Sequence, residues 1–291
     1  FIGILQICKG LSLTDCYWVT SPQDTKTFAQ VNLFDNRFSQ VLSQIAFTGY
    51  GSSPASKFRS SPEFTTNGML PKAWRRKEGK VFLYKGGTSG FANTGKDPYS
   101  EFYAAQVAEA MKIAHITYGL AKWKKQLCST CELFTSKSVS FVPASTLINN
   151  SKITHIIEWY DCHGWKDELA NMLVFDAVIR NTDRHLGNFG FLVDNQTNKL
   201  LGPIFDNGLS LYCYVMDDDL DNMDEQERNL SPALYEDFDA VARYVIGTKQ
   251  REALRHLLTF SFKKHSRYNL QDARLKRLES MIQEKARSLL E

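Results

Sequence analysis

One short stretch constrains this chain more than any other: Asn181-Thr-Asp-Arg-His-Leu-Gly-Asn188. It sets Asp183, Arg184, His185 and Asn188 between two apolar patterns. The run Phe189-Gly-Phe-Leu-Val193 then leads through a turn at 195–198 into Leu200-Leu-Gly-Pro-Ile-Phe-Asp206-Asn-Gly208. A β-hairpin with those ends brings Asp183, Asn188 and Asp206 within reach of one point. Asp and Asn oxygens are hard ligands suited to Mg2+, and a separate Asp can accept a hydroxyl proton or orient an attacking oxygen. These parts suit phosphoryl transfer, which is mostly positioning and charge neutralisation. The competing reading is an ordinary polar turn around a hairpin.

On the N-terminal side of this loop, Trp165, Leu169, Met172, Leu173, Asp176 and Ile179 recur every three or four residues, the period of one buried helix face. Earlier still the chain is rich in Ser, Thr, Gly and Pro. Gln44–Tyr50, Phe64–Trp74 and Lys80–Lys85 read as strands, with Asn67-Gly68 as a tight-turn pair. The stretch from Pro98 to Ile113 has helical spacing with Ser100 as a cap, and Tyr118–Lys124, Glu132–Thr135, Val139–Val142 and Ile153–Trp159 read as further strands of the same sheet. The pattern changes near 159–165. That change predicts residues 1–45 as an N-terminal extension, 46–161 as a mostly β lobe and 162–291 as a helical lobe.

With 291 residues and 43% hydrophobic content, the chain has enough apolar material for a substantial core, which excludes disorder and small disulfide scaffolds. The longest apolar stretch, Leu169–Ile179, is broken by Asn171 and Asp176, so no segment has the ~20 apolar residues of a membrane-spanning helix. No secretory signal is evident at the start. Six scattered cysteines favour reduced thiols in the cytoplasm, and Cys128-Ser-Thr-Cys131 has half the spacing of a zinc or redox site. The net charge of +3 hides a segregation. Asp217–Glu227 carries seven acids and no base, while Lys249–Arg287 carries eleven Lys and Arg against four acids. The acidic run is either a solvated loop or a surface for a basic substrate, and a calcium-binding hand is excluded by Asn222 and Arg228 at its Gly and Glu positions. The basic helices are either a solvated face or a site for nucleic acid or an acidic partner, and no DNA-reading motif accompanies them.

The segment NTDRHLGN with the downstream IFDNG resembles the catalytic and metal-binding motifs of HipA-like serine/threonine kinases, within the wider protein-kinase-like fold. Protein kinases read HRDxxxxN and DFG at these places. Here the order is DRHxxN and DNG, which phosphoinositide kinases share. The resemblance implies Asp183 as catalytic base, Arg184 and His185 as its supports, and Asn188 and Asp206 as Mg2+ ligands. It also implies that Lys85, at the end of a strand, holds the ATP phosphates and that Glu101, opening the next helix, orients that lysine. The hinge would fall at Ile156–Asp161, where the backbone of Glu158, Trp159 and Tyr160 would pair with adenine. Two loops could cover the phosphates, Thr48–Ser53 and Thr65–Met69, the second favoured because Asn67 and Gly68 lie between strands leading to Lys85. HipA-like kinases silence themselves by phosphorylating a serine in that loop, where this chain has only threonines.

The fold so implied is α+β and two-lobed, with a mostly β N-lobe carrying one orienting helix and a helical C-lobe. The implied activity is ATP- and Mg2+-dependent phosphorylation of a protein Ser/Thr hydroxyl. The family's partnership implies an antitoxin-like or DNA-binding partner protein and no membrane. The alternatives are a lipid or small-molecule kinase of the DRHxxN type, and a catalytically silent kinase fold that binds a partner.

Overall fold

The strand expected at Lys80–Lys85 is present, but its hairpin turn is Glu78-Gly79. Both turn residues have positive φ, 50° and 81°, as a two-residue connection between antiparallel strands requires. They join β1 (Lys72–Lys77) to β2 (Lys80–Gly86) in register, with Lys72 opposite Lys85 and Lys77 opposite Lys80. A second hairpin, turning at Lys124-Lys125, links β3 (Gly119–Trp123) and β4 (Gln126–Glu132). The sheet order is β1-β2-β4-β3. These coordinates are a computed structural model that describes residues 2–51, 60–66, 68–194 and 199–291.

Alternation along β1 and β2 divides the apolar side chains between two faces. Ala73 and Tyr84 pack with Phe47 and Cys128 on one face. Phe47 belongs to α3 (Gln40–Thr48), which packs against β1. Trp74 and Val81 face the other way, into a cluster with Leu11, Leu13, Leu33 and Phe38. The segment holding those residues, with α1 (Ile2–Cys8) and α2 (Phe28–Val31), is therefore part of the core rather than an appendage. Burial of each such aliphatic side chain contributes about 1.5–3 kcal/mol.

Contacts divide the chain into two compact units that interleave in sequence. The first comprises Phe1–Gly86, Ala121–Val142 and Phe191–Leu200; the second comprises Gly87–Leu120, Pro143–Gly190 and Leu201–Glu291. Neither coincides with the expected 46–161 and 162–291 lobes. A second sheet orders β5 (Val139–Pro143), β6 (Gly190–Asp194) and β7 (Lys199–Leu201), so β5 does not continue the first sheet.

The second unit is helical: α4 (Asp97–Ala110), α5 (Ala144–Leu147), α6 (Ile153–Cys162), α7 (Lys166–Ile179), α8 (Met223–Arg228), α9 (Phe238–Val245), α10 (Thr248–Arg255) and α11 (Asp272–Leu290). Helix α7 is its axis. It packs against α4, α6, α9, α10 and α11, and its residues from Met172 to Ile179 are buried on every side rather than on the single face expected.

Two expected strands are helices. Gln44–Tyr50 lies largely in α3, started by Ser39, whose hydroxyl accepts the Leu42 N–H, and stopped by Gly49 at φ 72°. Ile153–Trp159 lies in α6. Its β-branched residues suggest a strand, but Ile153, Ile156, Ile157 and Tyr160 follow the helical period, and that packing requirement overrides propensity. The strand expected over Phe64–Trp74 begins only at Lys72, after a short 3-10 turn at Pro62–Phe64. Helix α4 is present but is not capped by Ser100, which lies inside it and donates to the Ser210 carbonyl.

The two segregated charge segments meet each other. Asp217 pairs with Arg274 (2.8 Å), Asp224 with Arg277 (2.5 Å) and Glu227 with Lys285 (3.0 Å), so the acidic run docks along basic helix α11. Neither is merely a solvated face.

Candidate active site

Helix α7 ends at Arg180, whose backbone is left-handed (φ 54°, ψ 53°), and this turns the chain into the loop beginning at Asn181. Asn181 is fully buried and its amide donates to Asp176 Oδ1 (3.1 Å), while the Thr182 N–H donates to the Leu209 carbonyl (3.0 Å). The Asp183 N–H donates to the Asn181 side-chain oxygen (3.2 Å), leaving the Asp183 carboxylate half-exposed at the loop's edge.

Arg184 organises the site. It is fully buried, and all five of its donors find acceptors. Nε and Nη2 form a two-point pair with the Asp176 carboxylate (2.8 and 2.9 Å). Nη1 donates to the carbonyls of Asn188 (2.9 Å) and Phe205 (2.6 Å), and Nη2 also donates to Asn207 Oδ1 (2.6 Å). Burial alone would depress this guanidinium, but the Asp176 carboxylate outweighs it and holds the group above the usual arginine range, with Asp206 adding to the effect. One side chain thus fixes the backbone at Asn188 and the residues on both sides of Asp206. With no donor left for a substrate, Arg184 is a positioning residue rather than one that touches reacting atoms.

Asn188 donates its amide to the Asp183 carbonyl (2.9 Å) and reaches its carboxylate (3.5 Å). Its oxygen is then the atom with ligand character. Asp206 stands at φ 56°, an uncommon conformation for a residue with a side chain, and its N–H donates to the Tyr118 hydroxyl (3.2 Å). His185 is exposed; its ring Nδ1 accepts the Gly187 N–H (3.1 Å) and its carbonyl accepts the Asn188 N–H (2.8 Å). A Cβ on Gly187 would lie 2.9 Å from that ring, so a larger residue there would push the His185 ring aside. His185 shapes the turn.

Among the described residues, no cluster of three His, Cys, Asp or Glu side chains is placed to hold a metal. The donor set around Asp183, Asn188 and Asp206 is instead two carboxylates and one amide oxygen. Such hard oxygens fit Mg2+, which is held by one or two carboxylates and completes its shell with water and phosphate. Cys128 and Cys131 do not add a site. Both lie in β4 at odd spacing, so they face opposite sides of the sheet, and burial pushes the Cys128 thiol up to about 11.

In the first unit, Lys85 sits near the end of β2, directly across from Lys72 and, on the other side, Ser129. The two loops considered for covering phosphates line one open pocket of about 340 Å³. Thr48 and Gly49 come from one, Thr66, Gly68 and Met69 from the other, and Phe47 of α3 and Lys72 complete it. Asn67 lies outside the described residues. In the second unit, Glu101 is buried in the first turns of α4.

The expected hinge is overturned. Glu158, Trp159 and Tyr160 lie within α6, where backbone N–H groups serve the helix, and the Tyr160 carbonyl accepts the Trp165 N–H (2.9 Å). A base cannot pair with that backbone. The residues that sequence reasoning missed are Asp176, Asn207, Tyr118 and Lys72. Asp176 carried a signal, being a carboxylate in the middle of an apolar helix. The other three depend on pairings that no local pattern reveals.

No protein-family model and no curated protein matches the chain. Among solved structures, it is similar to the proinflammatory kinase CtkA of Helicobacter pylori, with a TM-score of 0.60 at 18% identity, covering 77% of this chain and 92% of that one. The chain has a kinase-like fold. That is the fold class implied by the order of its motifs. A weaker likeness, with a TM-score of 0.43 at 10% identity, is to HipA of Shewanella oneidensis in complex with HipB and operator DNA; it covers 76% of this chain and 64% of that one.

Proposed function

We propose that this chain is an ATP- and Mg2+-dependent kinase that phosphorylates a protein Ser or Thr hydroxyl. The observation that carries the reading is the Arg184 clamp, which ties the backbone of Asn188 to the backbone around Asp206 and so holds one carboxylate and one amide oxygen in a fixed frame. Asn188 and Asp206 would hold Mg2+, which supplies neutralisation of phosphate charge when bound. Asp183, tethered to Asn188, would accept the proton of the acceptor hydroxyl as its oxygen bonds to the γ-phosphorus and the bond to ADP breaks.

Lys85 and Glu101 take the nucleotide-orienting roles by motif order. Lys72 supports the same reading as a second cation beside Lys85. The six cysteines form no disulfide, which supports a cytoplasmic location, and among the described residues no helix is long and apolar enough to cross a membrane.

The test is transfer of labelled γ-phosphate from ATP to proteins of a cell lysate, with phosphoinositide vesicles as a parallel acceptor. Label on protein serine or threonine that disappears in Asp183→Ala is expected. Label confined to vesicles would move the reading to a lipid kinase, and equal labelling by the variant would overturn it.

A further inference from the structure

Kinase segments that follow the metal-binding Asp are commonly ordered by a phosphate whose charge pairs with arginine. In this chain the corresponding segment already carries its own negative charge. Arg274 of α11 is fully buried; its Nη1 donates to the Val215 carbonyl (2.8 Å) and Asp217 Oδ1 (2.8 Å), and its Nη2 donates to the Tyr212 carbonyl (2.6 Å). Arg180, three residues before Asp183, is likewise buried. Its Nε donates to Glu227 (3.0 Å) and its Nη1 to Asp239 (2.8 Å), with the Phe238 ring 5.2 Å from the guanidinium. Lys285 closes the network on Asp239 (2.7 Å) and Glu227 (3.0 Å), and Asp224 meets Arg277 farther along α11.

The composition of the segment agrees. Between Val215 and Leu230 it has no Ser, Thr or Tyr, so there is no hydroxyl to phosphorylate where the acids lie. Just before it, Ser210 and Tyr212 are buried and Tyr214 is exposed. The two arginines that a phosphate could engage are occupied by Asp217 and Glu227.

We propose that Asp217 and Glu227 stand in for a phosphorylated side chain, latching the segment after Asp206 onto Arg274 and Arg180, so that the site is assembled without a phosphorylation switch. The latch reaches the catalytic loop directly, since Arg180 is the residue that turns α7 into it. The functional consequence rests on the kinase reading, but the latch itself can be read separately.

The experiment is hydrogen exchange over residues 207–228 together with phosphate transfer. It uses the full chain before and after treatment with a broad-specificity phosphatase, and the variants Asp217→Asn, Glu227→Gln and the pair. Phosphatase treatment is expected to change neither readout. The double variant should exchange about tenfold faster in this segment, the change that roughly 1.4 kcal/mol of lost local stability produces, with transfer reduced in step. Asp217→Asn alone, at a partly exposed carboxylate, keeps the test valid if the double variant fails to fold. Unchanged exchange in the variants, or a phosphate on Tyr214 whose removal loosens the segment, would overturn the latch. Absence of transfer in every form with the exchange pattern intact would instead count against the kinase reading alone.

Discussion

Around Arg184 each donor of a buried cation meets an acceptor, while on the β1–β2 pair Lys72 and Lys85 stand directly across the strands from each other. The first arrangement fixes geometry before any ligand arrives. The second makes two cations cross-strand neighbours, one of them lining an open pocket of about 340 Å³. On the proposed kinase reading, the difference separates two tasks. Metal ligands must be held still, while the nucleotide's charge must be met only when it is present.

The sharpest way to break this comparison is to remove the buried cation. Arg184→Met leaves the Asp176 carboxylate in the core with the Asn181 amide but no countercharge, and such losses cost about 3–5 kcal/mol. Urea unfolding should show that drop, and Arg184→Lys should recover little of it, because an ammonium cannot reproduce a five-donor fork. A variant as stable as wild type would mean that the clamp does not hold the loop.

Next in size is an effect on chemistry with little effect on folding. Asp183→Ala removes a half-exposed carboxylate and should lower phosphate transfer by about 10²–10⁴-fold while leaving the urea midpoint close to wild type. Loss of stability with retained transfer would reverse the assigned roles.

Much of this contrast was legible in the sequence, and unevenly so. Asp183, Asn188 and Asp206 stood out because polar residues interrupted apolar runs of helical and strand period. The clamp joins Asp176, Arg184, Phe205 and Asn207 across a distance in sequence that no local pattern encodes. The strand expected over Ile153–Trp159, and with it the hinge at Ile156–Asp161, failed for a physical reason: β-branched residues argued for a strand, while burial of Ile156, Ile157 and Tyr160 at helical spacing decided for α6. The charge segregation was visible, but its meaning was not. Only the fold shows that the acidic run and α11 are partners of each other.

A smaller effect tests the other side of the comparison. Lys72→Met should weaken ATP binding while changing the stability of the nucleotide-free protein by only about 0.5 kcal/mol or less. Thermal melts would show a nearly unchanged transition without ATP and a smaller shift on adding ATP than in wild type. A destabilised apo protein would mean that Lys72 serves the fold instead.

The smallest expected effect is on pH dependence. Burial would raise Glu227 and Asp239, but their ion pairs with Arg180 and Lys285 outweigh it and leave both below their ordinary values of 4.5 and 3.8. Their contribution to stability is therefore fully present above those values and is lost as pH falls through the lower folded values. Melting temperatures recorded from neutral pH down to about pH 3 should fall less steeply in Glu227→Gln than in wild type. Parallel curves would show that the network contributes nothing in that window.

The central claim is that Asp206 and Asn188 are held ready for a metal that carries the nucleotide. The most direct measurement is calorimetric titration of ATP into the full chain with Mg2+ and with a chelator, in wild type and in Asp206→Gly. Glycine accepts the positive φ of that position without strain, so the substitution removes the carboxylate and little else. The account predicts that wild type binds ATP more tightly with Mg2+ than with chelator and that the variant loses this difference. Equal affinity under all four conditions would contradict it.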